Sequence, residues 1–157
     1  MHDKKDPDKV LYFANNHLCR NNSETMFITL WLGIYNKKTN ILSFANAGHN
    51  PPIIEKNNKF EFLDVENGIT LGIFEEYNFI TEEIELPSKI IIYTDGITDA
   101  INKNEKMYGE ERLLNCLNNN SKKDIINTIL NDVTNFVEDN DQFDDMTLLI
   151  LENNKYS

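Results

Sequence analysis

The chain is 157 residues long with a formal net charge of −11. That length suits one domain with a sizeable core. The acidic balance argues against a nucleic-acid or anionic-membrane partner, because docking on phosphate requires clustered Lys and Arg. If phosphate is handled at all, a metal ion is the natural source of positive charge beside acidic residues. Cys19 and Cys116 lie far apart in sequence, which indicates neither a zinc knuckle nor a disulfide framework and suits a reducing, cytoplasmic compartment. The N-terminal MHDKKDPDK lacks an apolar signal core, and no run approaches the roughly 20 apolar residues that span a bilayer.

In chain order, residues 1 to 5 read as a polar tail and Asp6-Pro7 as a helix start, an N-cap acid followed by proline. Val10, Leu11, Ala14, His17 and Leu18 mark one helical face, with His17 a core or boundary residue, and Asn21 to Ser23 end the helix. Met26 to Tyr35 is rich in β-formers and is separated by the polar Asn36 to Asn40 from Ile41 to Ala47, a hairpin pattern. Phe27, Trp31, Tyr35 and Phe44 are spaced as strand core. Ala47 to Pro52 is irregular, since two prolines follow a glycine. Pro52 to Ile54 and Phe60 to Leu63 read as a second pair of strands. Glu66-Asn67-Gly68 is a turn, Thr70 to Ile73 a link, and Phe79 to Leu86 a strand with one wet face.

Gly109 to Leu117 reads as a helix with Leu113, Leu114 and Leu117 inward. Ser121 and Asp124 form a capping-box pattern ahead of a helix striped by Ile125, Ile126, Ile129, Leu130, Val133, Phe136 and Val137. Strands dominate the front and helices come late, so the class is α+β with a mostly antiparallel sheet.

Two stretches organise the rest: Lys89 to Ala100, KIIIYTDGITDA, and Phe143 to Leu151, FDDMTLLIL. Each reads as a buried strand with acid at one end, because an unbroken β-branched and aromatic run suits a strand covered on both faces. If the two pair antiparallel, Asp95 and the pair Asp144-Asp145 meet at one edge of the sheet. Carboxylates so placed suit Mg²⁺ or Mn²⁺, hard cations that take oxygen ligands, and Gly96 lets the backbone come close. The plainer alternative is an Asp-Gly turn beside a solvated acidic loop.

The motifs MFITLWLGIYNKKTNILSFANAGHNPP, ITLGI, IIIYTDGITDAIN, YGEERL and FDDMTLLIL occur in that order. Together they resemble the SpoIIE-like, RsbU-type bacterial serine phosphatases of the PPM (protein phosphatase 2C-like) superfamily, over roughly Val10 to Leu151. The resemblance implies an α-β-β-α sandwich in which Mg²⁺ or Mn²⁺ activates water against phosphoserine or phosphothreonine. It implies a phosphorylated protein substrate, often a STAS-domain anti-sigma-factor antagonist. Matched residue by residue, the metal-ligating aspartate of the Thr-Asp-Gly motif is Asp95 and that of the Asp-Asp-x-Thr motif is Asp144, with Asp145 where relatives often carry asparagine.

The family's early Gly-Asp-x-x-Asp motif, whose aspartate bridges two metals, has no counterpart: Gly33, Gly48, Gly68, Gly72, Gly96 and Gly109 are never followed by Asp. Residues 1–157 are therefore expected to form one incomplete phosphatase domain, its C-terminal portion, with weak metal binding and poor activity. A sheet cut short would expose an edge and favour self-association. A non-catalytic, phosphatase-like binding module is the competing reading.

His49 is either a proton donor or substrate contact, with Asn50 beside it, or a turn histidine that ties its loop. Asp99 is either a supporting acid behind Asp95 or solvent-facing. Cys19 and Cys116 read as small buried apolar side chains.

Overall fold

A computed structural model describes residues 6–20, 22, 26–66, 68–120, 124–138 and 144–153. The polar tail, Asn67 and Ser121 lie outside the described residues. The element order is α1 (Pro7–Arg20), β1 (Leu30–Asn36), β2 (Ile41–Ala47), β3 (Ile53–Lys56), β4 (Lys59–Phe62), β5 (Glu82–Glu85), β6 (Lys89–Tyr93), α2 (Glu110–Asn119), α3 (Ile125–Val137) and β7 (Leu148–Glu152). The chain divides into two compact units, Met1–His49 with Asp64–Leu86, and Asn50–Leu63 with Pro87–Ser157. All strand pairs are antiparallel, so the expected α+β class with antiparallel sheets is present.

In the first unit, β1, β2 and β5 form a three-stranded sheet in that order. The β1–β2 turn forms because Asn36 Oδ1 accepts from the amides of Lys38 and Thr39 and Asn40 adopts φ 61°, a conformation asparagine tolerates. Leu11 of α1 packs with Ala45, Ala47, Leu71 and Phe79, and Trp31 stacks on Phe44 with centroids 5.5 Å apart. The strand expected from Met26 begins only at Leu30, with Ile28 making an isolated bridge to Leu71, and Phe27 is exposed rather than core. The strand expected over Phe79 to Leu86 shortens to β5. On α1, His17 is exposed, while Asn15 and Asn16 take the buried positions. Apolar spacing does not reveal them, because their burial is licensed by hydrogen bonds to the loop at 72–76.

In the second unit, the strand order is β4-β3-β6-β7. Asn57 and Asn58, at φ 53° and 60°, make the tight β3–β4 turn. Ile53, Phe60, Ile91 and Tyr93 face Leu113 and Leu117 of α2 and Ile125, Ile129 and Val133 of α3 in one core. The N-cap of α3 is Asp124 itself, whose carboxylate accepts from Asn127 N at 3.2 Å, so Asp124 is the capping residue rather than the distal acid of a capping box. Ile126 and Leu130 are exposed, leaving a narrower buried stripe than the sequence suggested. The reading of β7 as a buried strand is corrected too: it is the last strand of its sheet, and Leu149 is 58% exposed. An apolar run cannot distinguish a central strand from an edge strand. Cys19 is only half-buried, whereas Cys116 is buried.

At the β4 edge, Asn118 of α2 donates to Phe60 O at 3.0 Å and accepts from Phe60 N at 2.9 Å. A side-chain amide thus takes the place of a neighbouring strand. Asn118→Ala leaves both Phe60 groups unpaired, and urea unfolding should show a loss of roughly 2 kcal/mol.

Between α2 and α3, Arg112 grips Asp132 through Nε at 3.1 Å and Nη2 at 3.0 Å, and Tyr108 donates to the same carboxylate at 2.6 Å. The guanidinium also lies over Tyr108 and Phe136. These bonds, Arg112 first, hold Asp132 below its ordinary pKa, while burial and then the bond to Asp132 push the Tyr108 hydroxyl up. A depressed carboxylate contributes stability above its unfolded pKa, about 3.9, and loses it as pH falls through the lower folded value. Asp132→Asn should therefore unfold more easily at neutral pH and show a flatter acid limb in a stability–pH profile.

Candidate metal corner

β6 and β7 pair from Lys89 opposite Glu152 to Tyr93 opposite Leu148. Beyond the strands the pairing continues by other means. Thr94 N donates to Thr147 O at 3.1 Å, Thr147 N donates to Thr94 Oγ1 at 2.9 Å, and Thr94 Oγ1 donates to Asp145 O at 3.1 Å. The one hydroxyl accepts and donates at once, binding the segment before β7 to the turn after β6. A Cβ on Gly96 would sit 2.4 Å from Asp145 O and 3.3 Å from Asp144 O, so only glycine admits this approach.

The backbones carrying Asp95 and Asp144-Asp145 are therefore neighbours, and all three side chains are exposed. The Asp95 carbonyl accepts from Asp99 N at 2.7 Å and Thr98 Oγ1 at 3.2 Å, closing the turn. Asp144 Oδ1 accepts from Asp145 N at 2.7 Å. Asp99 is half-buried and accepts from Thr98 Oγ1 at 3.4 Å.

His49 belongs to the first unit. Its backbone N–H and C=O are both held by the buried Asn46 amide, each at 3.0 Å. Gly48 at φ +70° and Gly68, where a Cβ would lie 2.1 Å from Asn46 O, make room for this loop. Asn50 belongs to the second unit, where it lies close to Tyr93. Burial, reinforced by the charge of Glu110, pushes the Tyr93 hydroxyl well up, and Asn50 offsets part of this.

Exposed carboxylates at adjoining strand ends suit Mg²⁺ or Mn²⁺ in kind. They fall short in number: among the described residues no three His, Cys, Asp or Glu side chains form a cluster able to hold a metal. Motif reading found the three aspartates but not the Thr94 hydroxyl or the Asn46 amide. A buried asparagine between the alanines of Ala45-Asn46-Ala47 is the signal that would have pointed to the latter.

The α+β fold with antiparallel sheets is shared with PP2C-type phosphatase domains. The SiaA PP2C domain of Pseudomonas aeruginosa superposes with a TM-score of 0.76 at 16% identity, over 94% of this chain and 60% of that one. The phosphatase domain of SpoIIE from Bacillus subtilis, in an Mn-presoaked crystal, superposes with a TM-score of 0.59 at 18% identity, over 79% of this chain and 56% of that one.

The family model for stage II sporulation protein E (SpoIIE) matches residues 1–154, and the chain belongs to that family. Among curated relatives, protein IcfG of Synechocystis sp. is 29% identical over 91% of this chain and 23% of its own length. Phosphoserine phosphatase RsbU of Bacillus subtilis is 30% identical over 62% of this chain and 30% of its own. The chain thus spans less than a third of either.

Thr94→Val removes both hydroxyl bonds of the corner and should cost about 1 kcal/mol, since water reaches the site. Gly96→Ala should cost more, because the Asp145 backbone must move. Urea unfolding of the two variants checks this order.

Proposed function

We propose that this chain supplies the Asp95 and Asp144 side of a Mg²⁺ or Mn²⁺ centre in a cytoplasmic serine/threonine protein phosphatase of the RsbU type, with Asp145 an accessory ligand. The substrate is a phosphoserine on a regulatory protein, such as a STAS-domain anti-sigma-factor antagonist. Membership in the SpoIIE family supports the class. The observation that carries the residue assignment is the Thr94 tie, which fixes two acidic segments, remote in sequence, side by side.

A divalent ion in such a place supplies charge to offset phosphoryl oxygens and makes water more acidic. The chain's own contribution is to hold carboxylates in solvent at a rigid corner. Asn50, in the same unit as the corner, serves as a substrate contact. Gly96 keeps the corner closed, and Asp99 braces the turn.

Two aspartates bind such an ion weakly. Calorimetric Mn²⁺ titration of the chain should give a dissociation constant on the order of 10⁻³ M, the weak end of the range that ligand charge count and rigidity set for a hard cation, and Asp95→Asn or Asp144→Asn should abolish it. Hydrolysis of an aryl phosphate should stay near background. Mn²⁺ affinity indifferent to both substitutions would sink the assignment, and robust Asp95-dependent turnover would overturn the expectation of a weak centre.

The shortage of carboxylates around the corner among the described residues also favours a second reading, a phosphatase-like module that binds a regulatory protein without hydrolysing it. Phosphopeptide binding without turnover, unaffected by Asp95→Asn, would favour that reading.

A further inference from the structure

The loop after Leu71 is held more firmly than a surface connection requires. Asn15, with no exposed surface, accepts from Gly72 N at 2.9 Å and donates to Phe74 O at 2.7 Å. Asn16 accepts from Glu76 N at 2.8 Å. The Asn22 amide donates to the carbonyls of both Met26 and Gly72, and Ile28 bridges to Leu71. Two backbone segments therefore lie side by side, anchored to α1 and to the Asn22 amide by side-chain hydrogen bonds.

The side chains on this frame point outward. Met26 is 68% exposed, Phe27 63%, Ile73 43% and Phe74 63%. Large apolar groups displayed on an already ordered backbone are what an interface anchor needs, because little ordering remains to be lost on binding.

We propose that this surface of the first unit docks a protein partner that presents an apolar segment flanked by Lys or Arg. Charge selects the occupant. Glu75 and Glu76 continue directly from Phe74 and are exposed, while Arg20, two residues before Asn22, offsets part of their charge. The whole chain carries −11, so a second copy or an anionic bilayer meets like charge here, whereas a basic partner is steered in.

The test uses the full chain and two synthetic amphipathic peptides, one of Leu and Lys, the other with every Lys replaced by Glu, followed by fluorescence anisotropy. The Leu/Lys peptide should bind and the Leu/Glu peptide should not. The double variant F27S/F74S should weaken binding by about tenfold or more, as loss of anchor residues does, and E75K/E76K should erase the preference between peptides. Thermal unfolding shows whether F27S/F74S keeps its fold, and F74S alone serves if it does not.

Equal affinity for both peptides, or binding untouched by F27S/F74S in a folded protein, overturns the proposal. A wild-type dimer in sedimentation that F27S/F74S breaks would assign the surface to a second copy instead. Binding to vesicles of anionic lipid that the same variant abolishes would assign it to a membrane; either result also overturns the proposal.

Discussion

The bond network of the Thr94 hydroxyl is the constraint on which the acidic corner depends. Strand pairing alone ends at Tyr93 and Leu148, short of the residues that matter chemically. Thr94 carries the pairing further by putting one side-chain oxygen between Thr147 N and Asp145 O, and the missing side chain of Gly96 lets the two backbones close to contact distance. An Asp-Gly dipeptide is usually read as a turn and nothing more. Here the glycine is needed for close approach, and its φ is not in the left-handed region that usually explains a glycine.

Asparagine side chains do much of the work that backbone does elsewhere. Asn118 stands in for a strand beside Phe60, Asn46 closes the His49 loop, and Asn15 and Asn16 pin the loop after Leu71. A primary amide offers the same donor and acceptor as a peptide unit, so it can terminate a sheet or staple a loop without adding charge. In a chain of net charge −11, that neutrality matters, because each further buried carboxylate would raise the electrostatic cost of the folded state.

The same feature explains what the sequence revealed and what it hid. Periodicity and turn chemistry located α1, the β1–β2 hairpin, β3 with β4, and the pairing of β6 with β7, since those elements are specified by apolar spacing and by Asn or Pro at turns. It did not locate Asn15, Asn16 or Asn118. Their burial depends on partners dozens of positions away, and no local pattern encodes such a pairing. The open face of β7 was hidden for a related reason: Leu148 to Leu151 is apolar whether or not a neighbour covers it, and strand order is a property of the whole sheet. The motifs identified the acidic residues, but the hydroxyl that brings them together was legible only from coordinates.

The corner is fixed by neutral groups, a hydroxyl, backbone amides and carbonyls, and a glycine. The carboxylates of Asp95 and Asp145 carry none of those bonds, whereas Asp144 Oδ1 accepts from the Asp145 amide. For Asp95 and Asp145 fold and charge are thus separable. In a purely structural acidic cluster the carboxylates would be tied to donors; the exposed carboxylates of Asp95 and Asp145 instead face water at little cost to the fold. The shape of the corner therefore rests on the Thr94 hydroxyl and on the side chain that Gly96 lacks, and it leaves the carboxylates of Asp95 and Asp145 in solvent.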